Sequence, residues 1–230
     1  MPLSNNSVDA LRQSLYNLGF LASALFATRF AYQWYTSEKA KKSLVDRTFW
    51  KVSILGNLIM ACHYLIQVNF GLCLVQTLNG VFAWRNLQLM NSHKALCYRS
   101  RAALVLTICA LCTGLFLLQS WLFIGELDWV RSPHSSRQAE PLSLYWHLLG
   151  MLGACTFSLR FWIQWWRAEN RAIVELEVWF WILSLVGAGF LTVYSAILHD
   201  PVTFYASAAP SIGYIRNLML VKRRLKETRI

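Results

Sequence analysis

Four arginines, each with a side-chain amide close by in sequence, are the residues whose types and spacing best suit chemistry. Arg29 is followed by Gln33 and Arg160 by Gln164, while Arg85 and Arg216 directly precede Asn86 and Asn217. A guanidinium fork matches the oxygens of a phosphate group, and an amide adds a donor and an acceptor beside it. These eight residues are the candidate binding set for a phosphate or a lipid headgroup, and a ring of four arginines would suit a phosphorylated lipid or a nucleotide-sugar. The competing use of the arginines is snorkelling, in which a long stem carries the charge to a membrane interface. Glu38 and Glu169 are their charge partners, or those of Lys41 and Lys42, with proton coupling as the alternative. No nucleophile, base and orienter can be assembled, and no acid pair or metal cluster appears. No catalytic residue, cofactor or metal is therefore assigned. Cys109 and Cys112 have C-x-x-C spacing but lie in an apolar run without a second pair or nearby histidines, so they read as small hydrophobes.

The candidate residues recur because the chain repeats itself. Laid without a gap on residues 150–221, residues 19–90 are identical at 17 of 72 positions. The identities include Arg29/Arg160, Gln33/Gln164, Glu38/Glu169, Ser53/Ser184, Arg85/Arg216 and Asn86/Asn217. A polar echo inside apolar segments identifies a duplication more securely than an apolar one.

What positions these residues is a set of hydrophobic runs. The chain has 230 residues, 56% hydrophobic and 14% charged, and a net charge of +11. Runs of about 20 apolar residues match a hydrocarbon core of ~30 Å. Seven spans are predicted, roughly 14–35, 49–68, 70–90, 102–125, 145–166, 178–198 and 202–221. This is an all-α membrane protein, one membrane domain over residues 1–230. Two three-helix repeats (19–90 and 150–221) flank a linker helix (102–125) in a 3+1+3 arrangement. A single intervening helix makes the repeats parallel, related by an axis along the membrane normal.

Charge placement orients the bundle. Of the 22 Lys and Arg residues, 15 fall on one side of the predicted spans, and only Arg12, Arg131 and Arg137 fall on the other. The amino terminus is therefore expected outside and the carboxyl terminus in the cytoplasm. No basic stripe with interleaved aromatics lies on a soluble helix, so a nucleic acid is not an expected partner. The first apolar run has a poor signal-peptide flank and reads as a retained helix. Residues 126–143 read as an outer surface loop.

Smaller features follow from this frame. Gly19, Ser23 and Ala27, with Gly150, Ala154 and Ser158, form small-residue ladders for close helix packing. Trp34, Trp50, Trp165, Trp166, Trp179 and Trp181 read as an interfacial belt. His63 is expected to hydrogen-bond within the bundle, and Pro210 to break the seventh helix.

The motifs resemble a known family. Gly-x6-Phe-x-x-Arg-Phe-x-x-Gln-Trp (residues 19–34 and 150–165), the following Glu38 or Glu169, Phe-Trp-x-x-Ser-x-x-Gly (49–56 and 180–187) and Arg-Asn-Leu (85–87 and 216–218) are similar to the lipid A biosynthesis N-terminal domain. This is a membrane module of Gram-negative bacteria, distantly related to SWEET and PQ-loop proteins. The double-module form resembles the membrane segment fused to lipid-A-disaccharide synthase in chlamydia-like bacteria. The resemblance implies an inner-membrane component of lipopolysaccharide synthesis, binding a phosphorylated saccharolipid and presenting it to a cytoplasmic glycosyltransferase. The glycosyltransferase half is expected to be absent after Ile230, so synthase activity attaches to the fused relatives. The alternative is a SWEET-like transporter or flippase of a sugar or lipid-linked sugar; a third reading is an assembly scaffold. SWEET proteins carry a proline in the first helix of each unit, and residues 14–35 and 145–166 contain none.

Overall fold

The computed structural model describes residues 5–40, 45–124, 129–130, 143–171, 174 and 176–227. These are helical almost throughout, and no strand occurs among them. A short helix α1 (Asn5–Ser14) leads into α2 (Leu18–Ala40), α3 (Arg47–Ile66) and α4 (Phe70–Ser92). Helix α5 (Tyr98–Gln119) ends in a π-helical turn, Ser120–Ile124. The second repeat is α6 (Leu144–Arg171), α7 (Val178–Ile197), α8 (Pro201–Ala208) and α9 (Ser211–Glu227). The last two are one apolar segment interrupted at Ala209–Pro210, where proline supplies no N–H and crowds the preceding turn. Most of the loop expected over residues 126–143, and Lys41 and Lys42, lie outside the described residues.

Among the described residues, three helices are long and apolar enough to cross a membrane: Arg47–Ile66, Tyr98–Leu122 and Val178–Ile197. The most apolar of them, α5 with its π-turn, buries the least of itself. Leu106, Leu111 and Leu115 all point outward from it.

The helices close into a ring. Each repeat is a row in which its second helix packs on both others, and the third helix of each repeat packs against the first helix of the other. Going round, the order is α2, α3, α4, α6, α7, α8–α9 and back to α2, with α5 outside against α4. Helices α2 and α8–α9 run side by side in the same direction. Near their starts Ser23 Oγ meets Val202 O at 3.4 Å, and towards their ends Gln33 meets Asn217 at 2.9 Å.

The turns within the rows obey the duplication. Val68 and His199 occupy equivalent positions, both in the left-handed region (φ 59° and 52°). The next residue caps the following helix: Asn69 accepts from Leu72 N, and Asp200 from Val202 N and Thr203 N. For a β-branched residue such as Val68, this conformation is strained. The tight turn and its cap over-determine it. Asp200 also ties the repeats together, accepting from Tyr16 Oη at 2.7 Å and Thr203 Oγ1 at 2.5 Å, while Tyr64 Oη and Thr203 Oγ1 lie 2.9 Å apart.

Two expectations are corrected. Trp34, Trp166 and Trp179 are exposed, as a belt requires, but Trp50, Trp165 and Trp181 are 0–1% exposed. Trp50 and Trp181 follow Phe49 and Phe180 on the inward face of their helices and pack edge-on against them. His63 is buried with Nδ1 unpartnered, its ring edge-on to Tyr16 and Tyr64. Its place is set by packing against Gly19, where an added Cβ would lie 2.9 Å from the ring.

Close approach is strictest at Gly187, where a Cβ would lie 2.6 Å from Phe157 N and 2.8 Å from Phe157 Cα. Backbone cannot swing aside as a side chain can. Gly187→Ala is expected to destabilise the protein by about 1–3 kcal/mol, as overpacking does. Gly189→Ala, two residues on and facing open space, should be neutral or slightly stabilising through helix propensity. Thermal unfolding of both variants in detergent tests this, and equal midpoints would refute the α6–α7 contact.

Candidate functional site

The polar residues that recur between the repeats pair across them. Gln33 of α2 and Asn217 of α9 exchange two amide hydrogen bonds, each 2.9 Å. At the equivalent place Gln164 of α6 and Asn86 of α4 exchange two at 2.8 Å. Each asparagine also donates to the carbonyl four residues earlier in its own helix, Gly213 O and Phe82 O, both at 2.8 Å. All four residues are buried. In a dry interior a reciprocal amide pair satisfies both partners, and removing one leaves the other without its donor and acceptor.

One turn further on, the charges follow the same exchange. Arg85 Nε donates to Glu169 Oε1 at 2.8 Å, and Arg216 Nε donates to Glu38 Oε1. A tryptophan one turn before each glutamate donates to it: Trp165 at 3.0 Å and Trp34 at 3.1 Å. Glu169 additionally accepts from Leu96 N at 2.7 Å, and Arg85 donates to Gln88 Oε1 and Lys94 O, which anchors the α4–α5 connection. Arg216 first, and then Trp34, hold the Glu38 carboxyl below the usual glutamate range.

Arg29 and Arg160 are placed differently. Each donates through Nη1 to a serine on the next helix, Ser53 at 2.7 Å and Ser184 at 2.8 Å. Each serine donates in turn to a carbonyl of its own helix at 2.5 Å. Phenyl rings surround the guanidinium groups. Arg29 lies over Phe26, Phe30 and Phe49 at 4.4–4.9 Å, and Arg160 over Phe157, Phe161 and Phe180 at 3.5–5.2 Å. They are 4% and 1% exposed, and among the described residues neither meets a carboxylate. Both Nε donors are unpartnered.

Both arginines line one cavity at the centre of the ring. Every ring helix contributes to its wall, from Asn57 and Asn79 to Thr203 and Tyr214, and Pro210 at the helix break is part of it. The free space is about 30 Å³, enough for about two waters. Arg85, Arg216, Gln33, Asn86 and Asn217 do not line it, whereas Gln164 lines a second cleft that it shares with Arg160. The structure thus brings Arg29 and Arg160 together on a cavity, and sets the amide and charge pairs as braces between the repeats.

A feature the motif reading missed sits at the other end of the ring. Tyr16 and His63 pack together in the first repeat, and at the equivalent positions of the second His147 Nδ1 and Tyr194 Oη are 3.1 Å apart. The residue types have swapped helices while the pair has been kept. A comparison begun three residues earlier, at Tyr16 and His147, contains the signal, but only to a reader who already knows that these positions touch.

The two charge pairs differ in burial. The Arg85–Glu169 side chains are 7% and 0% exposed, those of Arg216–Glu38 41% and 36%. Glu169→Gln leaves Arg85 uncompensated in the interior and is expected to cost on the order of 3 kcal/mol. Glu38→Gln should lower the unfolding midpoint far less, because water already screens that pair. Melting both variants checks the difference, and a similar loss from each would contradict it.

Comparison with known proteins agrees with this architecture. The model of the Lipid A Biosynthesis N-terminal domain matches twice, over residues 18–88 and 149–219. The chain is 32% identical over 216 residues to a lipid-A-disaccharide synthase of Chlamydia felis, covering 93% of this chain and 34% of that protein. It is 33% identical over 217 residues to that of Chlamydia abortus, with the same coverage. It is 30% identical over 210 residues to that of Chlamydia trachomatis serovar D, covering 91% and 34%. The chain therefore spans about a third of the length of these relatives. No solved structure matches it. With two matched segments, each a row of the helix ring, the chain belongs to the Lipid A Biosynthesis N-terminal domain family.

Proposed function

We propose that the chain is an integral inner-membrane module of lipid A synthesis that binds a phosphorylated saccharolipid through Arg29 and Arg160 and presents it to a cytoplasmic glycosyltransferase. The observation that carries this reading is the pair of buried guanidinium groups on one cavity, each with an unmet Nε donor. Buried cations without carboxylates call for anionic oxygens, and a phosphate supplies several. The relatives are named for a synthase acting in lipid A formation, which fits a glycolipid ligand. A phosphate oxygen is the acceptor that the unmet guanidinium donors beside this cavity lack.

The membrane placement belongs to the same proposal. Seven spans in a 3+1+3 order, with the amino terminus outside and the carboxyl terminus in the cytoplasm, put the ends of α2, α4, α6 and α9 at the cytoplasmic leaflet. The 15 basic residues on that side favour this orientation. The outward leucines of α5 then face lipid. Glu38, Glu169 and the four amides act as braces that hold the arginine cavity between the repeats.

Binding of a short-chain phosphorylated lipid and of its dephosphorylated counterpart to the purified protein tests the reading. The wild type should prefer the phosphorylated form, and Arg29→Gln with Arg160→Gln should abolish that preference. A charge-assisted hydrogen bond contributes about 1.5–3 kcal/mol, so a loss of tenfold or more is expected. Unchanged discrimination in the double variant would remove the basis of the proposal.

A transporter or flippase is the second reading. It is favoured by the closed ring of helices around a cavity and by the helix break at Pro210. Flux of a sugar or lipid-linked sugar in reconstituted vesicles would establish transport, and its absence in vesicles that bind the lipid would leave the first reading.

A further inference from the structure

Arg160 faces two spaces. Besides the central cavity it lines a cleft of about 60 Å³ between α6 and α7, together with Gln164, Arg167, Arg171, Glu177 and Trp179. Residues 160, 164, 167 and 171 are spaced by four, three and four, so they run down one face of α6. At 1.5 Å per residue this face covers about 16 Å, from the helix end to the buried guanidinium. Exposure falls along it, from 62% for the Arg171 side chain and 41% for Arg167 to 1% for Arg160.

Among the described residues, a single carboxylate holds the mouth of this cleft. Arg167 Nη1 donates to Glu177 Oε2, and Arg171 Nη1 donates to Glu177 Oε1 at 3.0 Å. Three guanidinium groups against one carboxylate leave two positive charges uncompensated among the described lining residues. A phosphomonoester carries close to two negative charges at neutral pH and three acceptor oxygens. It matches the excess, and its oxygens can take the donors that Glu177 occupies.

The duplication supplies an internal comparison. At the positions equivalent to Arg167 and Arg171 the first repeat has Thr36 and Ala40. Thr36 Oγ1 is spent on carbonyls of its own helix, and Asp46, which replaces Glu177, accepts from Tyr32 Oη at 2.8 Å. The buried arginine was kept in both repeats, but the stepped approach to it exists in one.

We infer that the α6 face is the phosphate subsite and entry route of the ligand, which is a membrane lipid bearing a phosphomonoester. Arg171 and Arg167 capture the phosphate, Glu177 is the anion it displaces, and Arg160 is the inner terminus. This deepens the proposed function and rests on its placement of this end of the ring at a membrane surface. It makes the binding site asymmetric: the second repeat receives the headgroup, and the first contributes Arg29 from across the cavity.

The test uses the full chain in detergent and three probes: short-chain phosphatidic acid, the matching diacylglycerol and inorganic phosphate. The wild type should bind phosphatidic acid more tightly than either of the others. Arg167→Gln with Arg171→Gln should weaken phosphatidic acid tenfold or more, whereas Glu177→Gln should tighten it severalfold by freeing both guanidinium groups. Arg171→Gln alone, at the exposed rim, gives a folded variant with an intermediate loss if the double variant does not fold. Unchanged affinity in the arginine variants, a weakened Glu177→Gln, or equal binding of phosphate and phosphatidic acid would each overturn the inference. If only the Arg29→Gln, Arg160→Gln pair abolishes binding, the subsite fails and the proposed function stands.

Discussion

The structure depends on the reciprocal polar exchange between the repeats. A three-helix row satisfies the amides of Gln33 and Asn86 only in part, through Ser37 Oγ and Phe82 O, and the reciprocal amide partner lies on the third or first helix of the other row. Buried in the interior, such groups have no water to fall back on, so the rows are bound to each other by what each lacks. The same exchange explains why Gln, Asn, Arg and Glu are retained at equivalent positions. A change in one repeat would strand a residue of the other, which makes the two copies each other's constraint. The outer end shows the rule by its exception. Tyr16–His63 and His147–Tyr194 exchanged types together, so what had to be kept was the pair rather than either residue.

Closure of the ring determines what each arginine can do. Arg85 and Arg216 lie where the third helix of one row meets the first helix of the other, and there a glutamate from the opposite row meets each of them. Arg29 and Arg160 lie where the first helix of each row faces the central cavity, and each donates to a serine of the next helix. A single sequence pattern thus divides into neutralised braces and cations facing a cavity. Position in the row separates the two roles, since Arg29 and Arg160 lie on the first helix of each repeat and Arg85 and Arg216 on the third.

Much of this was legible in the sequence, and the limits have physical causes. Apolar runs, short connections and Pro201 locate the helices because each reflects local backbone energetics, and the break at Pro210 is readable for the same reason. The candidate residues were visible as polar identities between the repeats. Their partners were not, because Gln33 and Asn217 are 184 positions apart and the pairing follows from ring order, which no local pattern encodes. Trp50 and Trp181 were misread as belt residues because their distance from a helix end suits an interface. Their burial depends on which face of α3 and α7 turns inward, and the small residues Gly56 and Gly187 are a subtler guide to that face. The latch at Glu177 was hidden for another reason: it lies where the repeats differ, and a search for identities passes over it.

Holding two guanidinium groups inside the ring without a carboxylate is energetically adverse unless something offsets it. Faces of phenyl rings and one serine each do part of this, and each cation–π contact contributes up to about 2 kcal/mol when desolvated. Neither device neutralises the charge, and the unpartnered Nε donors show that the hydrogen bonding is also incomplete. A glutamate in place of Ser53 or Ser184 would complete both, as Glu38 and Glu169 do one turn beyond the amide locks, and the chain has serine at both positions instead. A site neutralised from within would have no affinity left for an external anion. The retained pair of serines is therefore the feature that leaves Arg29 and Arg160 without a carboxylate among the described residues, and under the proposed function it is what separates the ligand site from a structural brace built of the same residue.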